Sequence, residues 1–307
     1  MRLHRWVTAL SLMLMMVGSV AAVKAQAVSP AKPEKPLQQW RDDRAHGLQQ
    51  PEGWLSLVGL EWLHEGVNTV GSATDNSLHL PASAPAHLAV IKQTGIGEKA
   101  TLEIAPPKDG FPAGLTVDEV AAHAGDLAQS AKLKVGTYVV LVILRGERLG
   151  LRVKDANAPT RVNFHGLNWF APNPAYRVKA KWIPYLPEHD VTVPTIIGTL
   201  SREKTPGVAE FVLNGKTLRL EPIIEDEGEL FFILRDTTSR TTTYGAARFL
   251  YTGLPSNGLK QPGELVLDFN RLQNPPCAYT AYATCPLPWA QNRLNVAIPA
   301  GEKRYHD

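Results

Sequence analysis

A two-residue turn sets the register of one β-hairpin in this chain. Asn214-Gly215 separates the alternating segments 208–213 and 216–220, and Asn-Gly is the strongest short signal for a tight hairpin turn. Pairing outward from the turn sets three pairs of residues opposite each other: Phe211 with Leu218, Ala209 with Leu220, and Glu210 with Arg219. One face is then apolar and the other carries matched charges, so turn chemistry and hydrophobic pattern predict the same antiparallel register.

A second hairpin is predicted across Gly146-Glu147, between residues 138–145 and 148–154. Outward pairing places three apolar pairs on one face: Leu144 with Leu149, Val142 with Leu151, and Val140 with Val153. The other face carries Leu141, Ile143 and Arg152, so the first strand is apolar at almost every position and is expected to be buried on both sides. Arg152 would then lie near a buried surface, where a charge needs a partner or a ligand.

The rest of the chain also reads mainly as β-structure. Five further strands are predicted: Ala100–Ile104, Tyr176–Trp182, Val191–Leu200, Glu229–Arg235 and Glu264–Phe269. Short strands separated by Gly, Pro and Asn turns are typical of an antiparallel all-β fold, either a sandwich or a barrel-like form. One short N-terminal helix is predicted over residues 37–49, where apolar side chains recur at helical spacing. We interpret residues 37–307 as a single β-rich domain, with two packed β lobes as the alternative.

The first 27 residues have the pattern of a secretory signal peptide. Arg2 and Arg5 precede the uncharged apolar run Val7–Ala22, and small-residue cleavage patterns end at Ala25 and Ala27. A transmembrane anchor is the alternative, but this run is short against the ~20 residues that a spanning helix needs. Residues 28–36 are predicted to be a flexible linker. We therefore expect a periplasmic or secreted protein with no stable membrane insertion after signal removal.

The charge balance argues against nucleic acid as a partner. The 32 basic side chains exceed the 29 acidic ones by three, and Arg2, Arg5 and Lys24 account for that excess. Without the predicted signal peptide, basic and acidic side chains are therefore equal in number. Binding to a phosphate backbone needs a basic surface, so no nucleic-acid binding is expected.

Polar residues in the C-terminal third form the predicted site. Asp268 and Asn270 alternate with apolar residues at the end of a strand, so their side chains face one side, and the loop that follows carries Asn274. Loops at strand ends are common positions for binding residues. Five further residues are expected to converge there: Tyr244, Arg248, Asp236, Glu302 and Lys303.

These residues suggest defined roles. Arg248 or Arg152 would hold a carboxylate or phosphate through its planar guanidinium, and Asp268 would act as a general base, with Tyr244 as a third catalytic candidate. The alternative is purely structural: Asp236 would form a local turn and Arg248 would pair with Asp268. Both readings remain open from the sequence.

Cys277 and Cys285 are the two cysteines of the chain. In an oxidising compartment the expected state is a disulfide. A metal-binding or redox thiol pair is the alternative, but those roles normally use a spacing of two residues, whereas seven residues intervene here. We predict a disulfide, no metal site and no cofactor.

Separated motifs in the chain resemble those of one family. In the C-terminal third they are Leu267-Asp268-Phe269-Asn270-Arg271, Asn274-Pro275-Pro276-Cys277-Ala278, Cys285-Pro286-Leu287-Pro288, Asn292-Arg293-Leu294 and Ala300-Gly301-Glu302-Lys303. Further motifs are Gly53-Trp54-Leu55-Ser56-Leu57, Asp236-Thr237-Thr238-Ser239 and Arg248-Phe249-Leu250. Their combination resembles the bacterial and archaeal DUF1684 family, over about residues 37–306.

The resemblance implies a β-rich fold but no activity, because the family has no established one. Two positions depart from the family pattern. Arg240 stands where Gly is usual, and Leu272-Gln273 stands where Ala-Tyr is usual. The second departure removes an aromatic ring from the predicted site.

Together these observations predict an exported protein that binds a small polar or anionic ligand; whether it is also an enzyme stays open. The alternative is a non-catalytic module that binds a cell-envelope carbohydrate or a partner through exposed tryptophans.

Overall fold

The computed structural model describes residues 35–225 and 228–305. The predicted signal peptide and most of the predicted linker lie outside these residues. Within these residues two α-helices are present, α1 (Leu37–Leu48) and α2 (Pro159–Val162), besides short 3-10 turns. The predicted N-terminal helix is confirmed to within one residue, with Pro36 at its N-cap and Pro51 shortly after its end, as expected for a residue that cannot continue a helix.

The N-terminal half forms two sheets. In chain order its strands are β1 (Leu57–Trp62), β2 (Gly66–Gly71), β3 (Leu78–His79), β4 (Ala89–Thr94), β5 (Thr101–Ala105), β6 (Thr116–Val117), β7 (Val120–Ala121), β8 (Gly125–Leu127), β9 (Lys132–Val135), β10 (Tyr138–Arg145) and β11 (Arg148–Asp155). The sheet orders are β1-β11-β10-β9-β6-β7 and β3-β2-β4-β5-β8. Pairing is antiparallel except between β2 and β3.

The C-terminal half forms two more sheets. Its strands are β12 (Arg177–Pro194), β13 (Leu200–Leu213), β14 (Lys216–Leu220), β15 (Glu229–Leu234), β16 (Arg248–Gly253) and β17 (Gly263–Asp268). One sheet has the order β14-β13-β12-β17, and the other pairs β15 with β16. All of these strands are antiparallel.

Both predicted hairpin registers are confirmed. Phe211 lies opposite Leu218 and Glu210 opposite Arg219, and Val142 lies opposite Leu151. The outcome follows from a side-chain period of two: any one-residue slip would turn each apolar face to solvent.

The antiparallel all-β prediction with one short N-terminal helix is confirmed, and within the described residues no sheet closes into a barrel. One strand prediction is wrong, because 191–200 is not continuous: β12 ends at Pro194, a turn follows, and β13 begins at Leu200. Thr195 closes that turn by accepting a hydrogen bond from the Thr199 N–H at 3.2 Å. The β-branched residues of segment 191–200 favour a strand. Local hydrogen bonds made by threonine side chains, however, compete with the backbone hydrogen bonds between strands.

Three of the four apolar clusters in the described residues lie on the sheets, and the fourth packs Leu48 of α1 against Leu55, Phe164 and Tyr279. One fills the space between the two N-terminal sheets and contains Ile91, Leu102 and Leu151. A second lies on the C-terminal sheets around Trp182 and Phe232. A third joins the halves, because Leu57 at the start of β1 packs in the same cluster as Phe231, Phe249 and Cys285. The candidate site described below lies beside this third core.

No helix among the described residues has the length and hydropathy needed to cross a membrane.

The second core depends on a close approach between Gly207 and Trp182. A Cβ atom on Gly207 would lie 2.5 Å from Cζ2 of Trp182 and 2.6 Å from the carbonyl oxygen of Ile183. Trp182 is fully buried, and its indole N–H donates to the carbonyl oxygen of Leu259 at 3.0 Å. The ring therefore has no free position to move to.

We predict that Gly207→Ala lowers the free energy of unfolding by about 1–3 kcal/mol, because overpacking a dense core forces displacement. Gly253→Ala is the matched control, since nothing lies within 4 Å of a Cβ at that position; we expect a change of about 0.5 kcal/mol or less. Urea denaturation measures both. Equal stability of the two variants would contradict the close-packing argument.

Candidate functional site

Arg248 and Asp236 form a buried ion pair. Nη1 of Arg248 lies 2.9 Å from Oδ2 of Asp236, and the two residues are 0% and 2% exposed. Arg248 also donates to the carbonyl oxygens of Ile298, at 2.9 Å, and Ala300. Burial lowers the pKa of the Arg248 guanidinium, and the Asp236 carboxylate opposes that shift. The pair ties β16 to the C-terminal segment of the chain.

Asp268 and Asn270 are in contact, but not through strand alternation: β17 ends at Asp268, which caps a 3-10 turn that contains Asn270. Oδ1 of Asp268 accepts from the backbone N–H of Asn270 at 3.1 Å and from its side-chain amide at 2.9 Å. Asn270 exchanges two hydrogen bonds with the backbone of Asn173, and the second oxygen of Asp268 lies 3.4 Å from Nε of Arg271. The structural alternative had paired Arg248 with Asp268. The carboxylate beside Arg248 is instead Asp236.

Tyr244 and Asn274 hold the C-terminal loops. The Tyr244 hydroxyl donates to the carbonyl oxygen of Cys277 at 2.9 Å, and burial raises the pKa of this phenol. The Asn274 amide donates to Oε1 of Glu302 at 2.8 Å, and the same carboxylate accepts from Nε of Arg44 at 2.9 Å. These contacts fasten α1 to the end of the chain.

The predicted site residues thus occupy separate hydrogen-bond networks. Their part in ligand binding stays a prediction, and the contacts of Arg248, Asp236, Asp268 and Asn270 give each of them a structural role. Two of the predicted ligand-binding residues, Arg152 and Asn274, do line one common cavity.

The predicted disulfide between Cys277 and Cys285 is wrong for this structure, because both cysteines are free. The backbone N–H of Cys277 donates to Sγ of Cys285 at 3.1 Å. A hydrogen bond between the thiols lowers the pKa of Cys277 and raises that of Cys285. The pair is thus packed as two thiols. Across the described residues, no group of three or more His, Cys, Asp or Glu is arranged to hold a metal ion.

The cavity that Arg152 lines has a volume of about 280 Å³ and lies where the two halves of the fold meet. Its cationic side chains are Arg145 on β10, Arg152 on β11 and Arg44 on α1. The C-terminal half contributes polar, thiol and aromatic groups: Thr284, Cys285, Gln273, Phe231, Phe249 and Tyr251. Glu225, which is exposed, lies at its edge. Pockets that bind small molecules have about this size or more.

Two guanidinium groups meet at one hydroxyl in this cavity. Nε of Arg145 donates to Oγ1 of Thr284 at 3.0 Å, and Nη2 of Arg152 donates to the same oxygen at 3.3 Å. The Arg152 guanidinium also lies 5.1 Å above the Trp54 ring. Within 35–225 and 228–305, neither arginine forms an ion pair with a carboxylate, and Nε of Arg152 is buried without a hydrogen-bond partner.

Arg152 differs from the buried Arg248, which is paired with Asp236. Burial, and after it the positive charge of Arg145, lower the pKa of Arg152 to about 10. The Cys285 thiol offers no compensating charge at neutral pH, because its pKa is raised. Arg152 thus remains a cation beside a cation, which is costly away from water and is what an anion would neutralise.

The sequence pointed to Arg152 but not to Arg145 or Thr284. The hairpin register contained the signal for Arg145, since residues 141, 143 and 145 alternate onto the face that carries Arg152. Thr284 had no such signal, because it comes from a loop that is 132 residues away from Arg152 in the chain.

Tryptophan exposure bears on the alternative of a carbohydrate-binding module. Trp182 is buried, and the other tryptophans of the described chain are half-buried rather than exposed. Several are covered by cations: Arg148 lies 4.1 Å above Trp62, and Arg41 lies 4.7 Å above Trp169. That alternative stays a prediction without a further observation in its favour.

For the ion pair, we predict that Arg248→Met lowers the free energy of unfolding by about 3–5 kcal/mol, because it leaves the buried carboxylate of Asp236 without its partner. Arg219→Met is the control, since its pair with Glu210 is largely exposed and such pairs contribute about 1 kcal/mol or less. Chemical denaturation compares the two. An equal decrease in the free energy of unfolding of the two variants would contradict a larger stabilising contribution from the buried pair.

Comparisons with known proteins identify the family. The curated proteins contain no match to this chain. It is similar to an uncharacterised protein of Haloarcula marismortui whose solution NMR structure is known, with 30% identity, 47% of this chain and 79% of that chain covered, and a TM-score of 0.40. A family model described as protein of unknown function (DUF1684) matches residues 162–303. Through this segment the chain belongs to the DUF1684 family.

Proposed function

We propose that this protein binds a small oxyanion, a carboxylate or a phosphate, between Arg145, Arg152 and Thr284. The observation that carries the proposal is the convergence of two guanidinium groups on the Thr284 hydroxyl, at 3.0 and 3.3 Å, with no carboxylate paired to either within the described residues. Planar guanidinium groups match the geometry of carboxylates and phosphates.

Burial makes this arrangement more than a surface charge. Arg152 is 8% exposed, so its interaction with an anion would be screened little by solvent. The third cation of the cavity, Arg44, is already balanced by Glu302 at 2.9 Å. Glu225 lies at the cavity edge and accepts from the Tyr251 hydroxyl at 3.1 Å. The charges that remain once Arg44 pairs with Glu302 are those of Arg145 and Arg152, opposed by the single carboxylate of Glu225, because the Tyr251 hydroxyl is neutral.

The structural role of Arg152 can be separated from a binding role. If a residue serves stability, its substitution should lower the free energy of unfolding of the ligand-free protein. If a residue serves anion binding, its substitution should not do so, since removing an uncompensated buried charge is often neutral or stabilising. A binding residue should instead affect the response to added anion.

We predict that inorganic phosphate or acetate raises the thermal midpoint of the wild-type protein, by mass action of binding to the folded state. Arg152→Met should weaken this response at least about tenfold in ligand concentration, while its free energy of unfolding without ligand stays within about 1 kcal/mol of wild type. Differential scanning fluorimetry across an anion series, with chloride as the salt control, measures the response.

Arg148→Met is the matched control. Arg148 lies on the same strand, four residues before Arg152, and stacks on Trp62 at 4.1 Å in the same way that Arg152 stacks on Trp54. It does not line the cavity, so its variant should respond like wild type. An equal response of Arg152→Met and wild type would remove the basis of the proposal.

Export is part of the proposal and rests on the sequence of residues 1–27, which lie outside the described residues. Expressed as the full chain in a Gram-negative host, the protein should be found in the periplasmic fraction with a mass reduced by the signal peptide. Mass spectrometry of the fractions tests this expectation. An uncleaved chain confined to the cytoplasm would contradict it.

A further inference from the structure

We infer, resting on the proposed function, that the bound oxyanion carries an aromatic ring, which packs on a wall formed by Phe231, Phe249 and Tyr251. The chemical class is an aromatic carboxylate or an aryl phosphate. The inference comes from what the cavity offers besides its two cations.

The three aromatic side chains form one connected surface. Phe231 and Tyr251 lie opposite each other in the β15–β16 ladder, with ring centroids 4.6 Å apart and planes 7° from parallel. Phe249 meets the Phe231 ring edge-on, with centroids 4.8 Å apart. The backbone of Phe249 exchanges two hydrogen bonds with Gln273, at 2.9 and 3.0 Å. All three rings line the cavity that contains Arg152.

The cavity therefore presents two chemically different sides. The N-terminal half supplies the guanidinium groups from β10 and β11, with the Trp54 ring under Arg152, and the C-terminal half supplies the three rings from β15 and β16. A bare oxyanion would use only the first side. A ligand with both an anionic group and a flat apolar body would use both, and ring–ring packing adds to simple area burial.

Size limits the body of the ligand. A volume of about 280 Å³ lies just below the ~300–1,000 Å³ typical of small-molecule sites. That space suits a single ring with its anionic substituent rather than a long acyl chain or a polymer.

The test compares four probes that separate the ring from the charged group: acetate, benzoate, inorganic phosphate and phenyl phosphate. Isothermal titration calorimetry gives each dissociation constant. We expect benzoate to bind at least about tenfold more tightly than acetate, or phenyl phosphate at least about tenfold more tightly than phosphate. Tighter binding of acetate and benzoate would indicate a carboxylate ligand. Tighter binding of phosphate and phenyl phosphate would indicate a phosphate ligand.

A variant locates the effect on the aromatic wall. Tyr251→Leu should reduce the preference for the ring-bearing probe to about threefold or less. Tyr185→Leu is the matched control. Like Tyr251, Tyr185 donates a hydrogen bond to a glutamate, Glu221 at 2.8 Å, and stacks on a ring, that of His189 with centroids 3.8 Å apart. Unlike Tyr251, it does not line the cavity. The control should keep the full preference.

The outcomes separate this inference from the proposed function. Should ringless probes bind as tightly as ring-bearing ones, and lose affinity in Arg152→Met, the aromatic inference is overturned and the oxyanion site stands. A ring preference that survives in Tyr251→Leu also overturns the aromatic wall. If none of the four probes binds, both the inference and the proposed function fail.

Discussion

The ion pair between Arg248 and Asp236, which are 12 residues apart, joins three parts of the chain. Arg248 begins β16, Asp236 follows β15, and the carbonyl groups that Arg248 also contacts belong to Ile298 and Ala300 near the end of the chain. The C-terminal segment has few ladder hydrogen bonds of its own, so it depends on such side-chain contacts. A second network does the same for α1, where Arg44 reaches the buried carboxylate of Glu302. Irregular segments of this fold are thus held by buried charges in matched pairs.

Arg145 and Arg152 differ from Arg248 and Arg44, because within the described residues neither is paired with a carboxylate. Their shared partner is a neutral hydroxyl, Thr284. Two adjacent cations that face a cavity without a carboxylate partner are arranged to receive a negative charge there. Two cations without a carboxylate partner destabilise the free protein, and binding of an anion would offset that free-energy cost.

The proposed site contains residues from inside and from outside the segment that matches the DUF1684 family model. The DUF1684 match begins at residue 162, after β10 and β11, so the two arginines lie outside it. Thr284, Phe249 and Tyr251 lie within it. The family segment therefore supplies the hydroxyl and the aromatic wall, and the N-terminal sheets supply the charge. Ligand binding as proposed here needs both halves of the fold.

Much of the local structure was predictable because its causes are local. The Asn214-Gly215 turn and the alternation on each side of it specify a register without reference to the rest of the molecule, and the structure has that register. Helix α1 follows from apolar spacing bounded by Pro36 and Pro51. Arg152 was predicted to need a partner because the strand paired with its own is apolar on both faces. The cysteine prediction is wrong although its residues are close in the chain: compartment and spacing favoured a disulfide between Cys277 and Cys285, yet they are free thiols.

What the amino-acid sequence determined by itself, then, is the all-β class, the two hairpins, the short helix and the burial of one arginine. Only the tertiary structure decided which charges meet. Asp236 rather than Asp268 became the partner of Arg248, and Thr284 rather than a carboxylate became the partner of Arg152. The physical reason is that turn and strand propensities act over a few residues, whereas the partner of a buried charge depends on which side chains the packing of whole sheets brings together. Asp236 lies 12 residues from Arg248, and Thr284 lies 132 residues from Arg152.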